Sequence, residues 1–138
     1  MKIKQLSILD LDEIASFINK FHWPELDGIH LYLSNLIRAG GYILVPSESD
    51  GMMILTNSLG SSKAEGHIYI ESHLRGLQAI RFTKASYEWG WENTPVESVI
   101  NKVPIEDHKL RMFMGMLKNK ELTRDSKEIT YIRYKEEK

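Results

Sequence analysis

The chain has 138 residues, 42% hydrophobic and 27% charged, with 18 Lys and Arg against 19 Asp and Glu and no cysteine. This length predicts one domain over 1–138, large enough to fold without disulfides or a metal. A net charge of −1 excludes a nucleic-acid binder that works by bulk charge. The missing cysteines exclude disulfide frameworks, Cys-based zinc sites and thiol nucleophiles. No run approaches the ~20 apolar residues of a membrane span, and Met1-Lys2-Ile3-Lys4 opens no signal-peptide core, so a cytoplasmic protein without membrane contact is expected.

The alternation over Lys2 to Ser7 predicts a short strand. Asp10 and Glu13 have capping-box spacing, and Leu11, Ile14, Ala15, Ile18 and Phe21 then recur at helical intervals, predicting a helix over 11–21. After Pro24, a second helix is expected from His30 to Ala39, stopped by Gly40-Gly41. Tyr42 to Val45 and Met52 to Thr56 read as an antiparallel pair. Leu59 to Ala64 is Gly/Ser-rich and predicts a loop, and Gly66 to Glu71 alternates as a third strand. From Gly76 to Glu92 the helical period is strongest, with Leu77, Ile80, Tyr87 and Trp91 on one face and Ala79, Phe82 and Trp89 beside them. A strand over Val96 to Val103, a helix over Glu106 to Lys118 and a hairpin of Glu121–Arg124 with Ile129–Tyr134 complete the chain. Met112, Met114 and Met116 lie two apart on that last helix and so spread over several faces as packing. The order predicts a mixed α/β (α+β) layer around one central, mostly antiparallel sheet of about seven strands and about four helices.

The chemistry concentrates where Gly66-His67-Ile68-Tyr69-Ile70-Glu71 runs through Arg75-Gly76 into the long helix. A helix start leaves about four amides free, with the positive end of the dipole behind them, and can hold a phosphate. Any strand-to-helix turn with a Gly and a surface Arg looks the same, so this pattern alone leaves a purely structural reading open.

The element order and this segment resemble the GNAT superfamily of acetyl-CoA-dependent N-acetyltransferases over nearly the whole chain. That family carries Arg or Gln, two residues, Gly, one residue, then Gly or Ala after the fourth strand. Arg75 and Gly76 match its common opening, whereas Gln78 stands at the Gly and Ile80 at the Gly or Ala, with Ala79 one place early. The resemblance implies that acetyl-CoA is the co-substrate. Its pyrophosphate would be held by amides from Leu77, Gln78, Ala79 and Ile80 with Arg75 adding charge, and its pantetheine arm would lie along Tyr69 and Ile70. A second family signature, an Asn followed by a helical Tyr and Gly-Phe, meets Asp107, then Phe113 or Met114, then Lys118-Asn119 here. The Tyr that protonates the leaving thiolate in the family is absent. Such departures are similar to those of divergent GNAT-like proteins from bacteriophages, some described as head-assembly or host-modifying, which would place this chain in the host cytoplasm.

Transfer of an acetyl group to an amine needs a base, a polarised carbonyl and a proton for the thiolate. Glu65, His67 and Tyr69 share one face of the third strand with Glu71. An imidazole, with a reference pKa near ~6.5, suits a base at His67; Tyr69 suits a proton donor and Glu65 a base or amine-positioning group. A hydrogen-bonded core histidine and a core tyrosine are the plain alternative. By family resemblance the connection of the first two helices walls the acceptor site, which nominates Trp23, Glu25 and Asp27 for a cationic amine, either small or on a protein. His22, His30, His67, His73 and His108 lack zinc spacing, so no metal is expected. The final strand, with its alternating Ile and Tyr, suits edge-to-edge pairing in a homodimer. Two functions of different class stand at this point: an N-acetyltransferase working by direct attack, and a catalytically weak GNAT-shaped binding or assembly protein.

Overall fold

The computed structural model describes residues 2–22, 24–47, 51–57, 61–71 and 76–135. β1 (Ile3–Leu6) is followed by one 3₁₀ turn (Ile8–Asp10), α1 (Leu11–Asn19) and α2 (Ile29–Arg38). The capping box expected at Asp10 and Glu13 lies one turn earlier. Ser7 Oγ accepts from the Leu9 amide at 3.2 Å, and the Ser7 amide donates to Asp10 Oδ2 at 2.8 Å. Asp10 is engaged in the 3₁₀ turn and makes no side-chain cap to α1.

Three strands follow, β2 (Tyr42–Pro46), β3 (Gly51–Thr56) and β4 (Lys63–Ile70), and then α3 (Leu77–Asn93). The chain continues through β5 (Ser98–Pro104), α4 (His108–Met116), β6 (Lys120–Arg124) and β7 (Glu128–Tyr134). The seven strands form one sheet in the order β1-β2-β3-β4-β5-β7-β6, antiparallel except for β4 with β5. The α3 crossover makes that one parallel pair possible. The expected mixed layer of seven strands and four helices is the one observed.

Three expectations are corrected. β4 begins at Lys63, inside the stretch expected as loop, because Ala64 is buried and pairs with Val99 of β5. Its polar neighbours hide that single inward residue from any alternation count. β7 is not an edge strand, since it lies between β5 and β6; the edge belongs to β6, all five residues of which are exposed. Leu77, expected on the inward face of α3, is 61% exposed. It is the first helical residue, where α3 has not yet passed over the sheet.

Helices cover both faces. Ile14, Ile18 and Leu33 of α1 and α2 pack on Leu6, Ile43, Met52 and Ile54. On the opposite face Phe82, Tyr87 and Trp91 of α3 pack on Leu44, Met53, Leu55 and Val99. A third cluster joins Ile80 of α3 to Val103, Met114 and Leu117, while Met112 and Met116 face outward. Each such buried side chain contributes about 1.5–3 kcal/mol, so α3 is held against both halves of the sheet. Among the described residues no helix is long and apolar enough to cross a membrane.

Candidate active site

β4 and β5 pair over only three positions, Lys63 with Ser98, Ala64 with Val99 and Glu65 with Ile100. Beyond them each strand keeps its outer neighbour. Gly66 to Ile70 stays on β3 as far as Gly51, and Asn101 to Pro104 stays on β7 as far as Glu128. The inner edges of both strands are therefore bare of strand partners, and a wedge opens in the middle of the sheet. Gly66 stands at its apex. A Cβ there would lie 2.7 Å from Asn101 Oδ1 and 3.1 Å from Val99 Cγ1, so only glycine fits without displacement.

The wedge leads into a groove of about 450 Å³ bordered by Ile68, Tyr69, Ile70, Gly76, Ala79, Asp107 and Phe113. Its floor is the β4 edge, one end is the start of α3, and its wall is α4. Gly76 precedes α3 at φ 84° and ψ −133°, a conformation that side chains resist. The amides of Leu77, Gln78 and Ala79 have no partner within the helix. Ile80 drops out as an amide donor, because its N–H bonds the Gly76 carbonyl at 3.2 Å. Gln78 is exposed, so its side chain leaves the core and the backbone approach to its amide stays open. Arg75 lies outside the described residues. Of the two residues nominated for the missing tyrosine, Phe113 lines the groove, whereas Met114 is buried in the core.

On the other side of β4, the register sets Tyr69 opposite Met52 and His67 opposite Ile54, both of which face α1 and α2. Glu65, His67 and Tyr69 thus share that face, as the alternation predicts. His67 Nε2 is 3.7 Å from Glu65 Oε1, and both side chains are about two-fifths exposed, at 39% and 38%. The Tyr69 ring lies 5.5 Å from Phe21 and 6.4 Å from His22, centroid to centroid. Burial, with Tyr32 nearby as a second cause, pushes its phenol above the ordinary value of 10.0. Tyr69 therefore carries its proton at neutral pH. Glu71, next on the same face, pairs with Lys20 at 3.3 Å.

Of the residues nominated for the amine, Trp23 lies outside the described residues. Glu25 and Asp27 are exposed, and Glu25 borders a separate hollow with Asp12 and His30 on the outer side of α1 and α2. The structure does not bring them to the Glu65–His67 pair. Phe21 and His22 approach Tyr69 instead, a meeting of distant segments that no local pattern announces. Among the described residues no cluster of His, Asp or Glu could hold a metal ion.

No protein-family model and no curated protein matches the sequence. Solved structures do match. Spermidine N-acetyltransferase of Vibrio cholerae, in complex with CoA and spermine, aligns with a TM-score of 0.73 at 14% identity over 96% of this chain and 94% of that one. The N-acetyltransferase PseH of Campylobacter jejuni, in complex with acetyl coenzyme A, aligns at 0.71 and 14% identity over 98% and 99%. A dodecameric form of the Vibrio enzyme aligns at 0.70 and 14% over 96% and 92%.

The chain has the GNAT fold. The bare β4 edge offers main-chain donors and acceptors along an extended arm, and the free α3 amides suit a diphosphate.

Proposed function

We propose that the protein is an N-acetyltransferase that uses acetyl-CoA and transfers the acetyl group to an amine by direct attack. The observation that carries this reading is the wedge after Glu65 and Ile100, which runs into a groove ending at the free amides of α3. A diphosphate fits Leu77, Gln78 and Ala79, with Gly76 giving the backbone close approach. The pantetheine arm fits the β4 edge at Tyr69 and Ile70, where a strand amide polarises the thioester carbonyl. Acetyl-CoA supplies the acetyl group as an activated thioester.

The chain's own residues manage the protons. His67, with Glu65 beside it at 3.7 Å, takes a proton from the amine as the new N–C bond forms and the C–S bond breaks. Tyr69 gives its proton to the departing thiolate, replacing the hydroxyl that Phe113 lacks. CoA and an N-acetylated amine are the products. Phe21 and His22 form an aromatic wall beside Tyr69. A binding module without catalysis is the second reading, favoured by Phe113. Calorimetric titration with acetyl-CoA, followed by a thiol-release assay with amines, separates the two. Saturable binding with CoA release supports the enzyme; no binding at millimolar acetyl-CoA overturns it.

A further inference from the structure

The face of β4 that carries Glu65, His67 and Tyr69 also borders, at the paired seam with β5, a cavity of about 430 Å³. Glu65 forms part of its wall, with Thr56, Asn57, Ser61, Lys63 and Lys102 around it. The strands explain the grouping. Lys63 precedes Glu65 by two residues on β4, and Lys102 follows by two the Ile100 that pairs with Glu65 on β5. Residues two apart share a face, so both lysines stand on the same side as Glu65 and bracket it.

The polar groups of this cavity divide into satisfied and unsatisfied ones. Thr56 Oγ1 donates to the Glu65 carbonyl and Ser61 Oγ to the Lys63 carbonyl, each at 3.2 Å. Asn57 Nδ2 donates to the Ser61 carbonyl at 3.3 Å, but its Oδ1 is buried and receives no donor among the described residues. Neither lysine ammonium forms an ion pair among the described residues. The cavity thus presents two acceptors, Glu65 and Asn57 Oδ1, flanked by two lysines that make no close ion pair among the described residues. A polycation meets repulsion from both lysines in such a site. A molecule with an ammonium or hydroxyl donor and a negative group meets a partner for each.

Resting on the acetyltransferase reading, we infer that the acceptor is a small amine that also carries an anionic group, a carboxylate or a phosphate. The amine lies toward Glu65 and His67, and the anion is held by Lys63 and Lys102. A free donor on the same skeleton satisfies Asn57 Oδ1. The substrate class differs from the spermine bound by the Vibrio structural neighbour.

The test compares matched pairs of amines by thiol release at saturating acetyl-CoA: glucosamine 6-phosphate against glucosamine, β-alanine against propylamine, and spermidine as the polycation. Acetyl-CoA affinity is measured separately by calorimetry, so that failure of the cofactor site is distinguished from failure of this inference. The anionic member of at least one pair is expected to have a kcat/KM about tenfold or more above its neutral partner. The pair that shows it separates phosphate from carboxylate. Lys63→Ala with Lys102→Ala should bring the two members within about threefold of each other, and Lys102→Glu should invert the preference. Equal rates within both pairs, a preference for spermidine, or a lysine-independent preference overturns the inference. Tight acetyl-CoA binding with no turnover of any pair overturns it as well.

Discussion

The carboxamide oxygen of Asn101 fills the space that a side chain on Gly66 would occupy, and the same carboxamide donates through Nδ2 to the Tyr87 hydroxyl at 3.0 Å. Asn101 is buried and tied to α3, so it has little freedom to retreat. Gly66→Ala is therefore expected to force β4 and β5 apart and to destabilise the fold by about 1–3 kcal/mol. For a domain of this length the melting midpoint should fall by roughly 3–5 °C for each kcal/mol. Acetyl-CoA affinity should fall with it. The double variant Gly66→Ala with Asn101→Ala makes room for the methyl and should recover part of the affinity; a calorimetric titration of both variants checks this.

At Gly76 the constraint is conformational rather than steric, since a Cβ there meets nothing within 4 Å while φ is +84°. Gly76→Val should cost about 1–3 kcal/mol in backbone strain and weaken acetyl-CoA binding strongly. Gln78→Gly should leave binding unchanged or improved, at a helix cost of up to ~1 kcal/mol. Equal acetyl-CoA affinity in wild type and Gly76→Val would place the ligand elsewhere.

Removal of the proposed proton-transfer groups should act on turnover. Losing a positioned acid or base costs on the order of 10²-fold or more in rate, so Tyr69→Phe and His67→Gln should each lower kcat by about that factor. Phe113→Tyr returns a hydroxyl to the opposite wall of the groove. Placed in the Tyr69→Phe background it should restore a measurable part of kcat, which steady-state kinetics on the four proteins will show.

The phenols also set an alkaline limit. Burial raises both Tyr69 and Tyr87 above 10.0, the second despite hydrogen bonds from Asn101 and Asn119 and the charge of Arg133. The folded state then holds these protons more tightly than the unfolded chain. Their contribution is complete below the unfolded value and is lost as pH rises through the folded one. Stability should be insensitive to these groups at neutral pH and fall above about pH 10, with two tyrosines titrating late in a tyrosinate absorbance curve.

Lys118 offers a gain of stability. It sits at φ 60°, just past α4, where its amide bonds the Gly115 carbonyl and that of Asn119 bonds Met114, each at 3.0 Å. This left-handed seat usually holds glycine. Lys118→Gly should raise the melting midpoint by up to a few degrees, relieving about 1 kcal/mol of strain. A lower midpoint would mean that the lysine side chain contributes more than the strain it imposes.

Much of this architecture is legible before folding because it is local. Alternation from His67 to Glu71 already puts Glu65, His67 and Tyr69 on one face, and the period over α3 marks Phe82, Tyr87 and Trp91 as inward. What stays hidden is what depends on partners far along the chain. Nothing near Ser61 shows that Lys63 to Glu65 will find β5, and Ser7 to Asp10 has the same capping-box spacing as Asp10 to Glu13, so spacing alone does not choose between them. The hairpin composition does not say which of its strands will border solvent. Glu25 and Asp27 lie in the same connection as Phe21 and His22 yet stay exposed, and Glu25 borders a separate hollow. Phe21 and His22 reach Tyr69 only because α1 folds over β3 and β4.

Two plates of four and three strands meet along the short seam from Lys63 to Glu65, and α3 packs on both, through Phe82 on one and Ile80 on the other. The helix acts as a brace across a joint. A diphosphate seated on its first turn would load that brace at one end, so the amides of Ala64, Glu65, Val99 and Ile100 should exchange with deuterium more slowly when acetyl-CoA is bound, although none of them touches the phosphates.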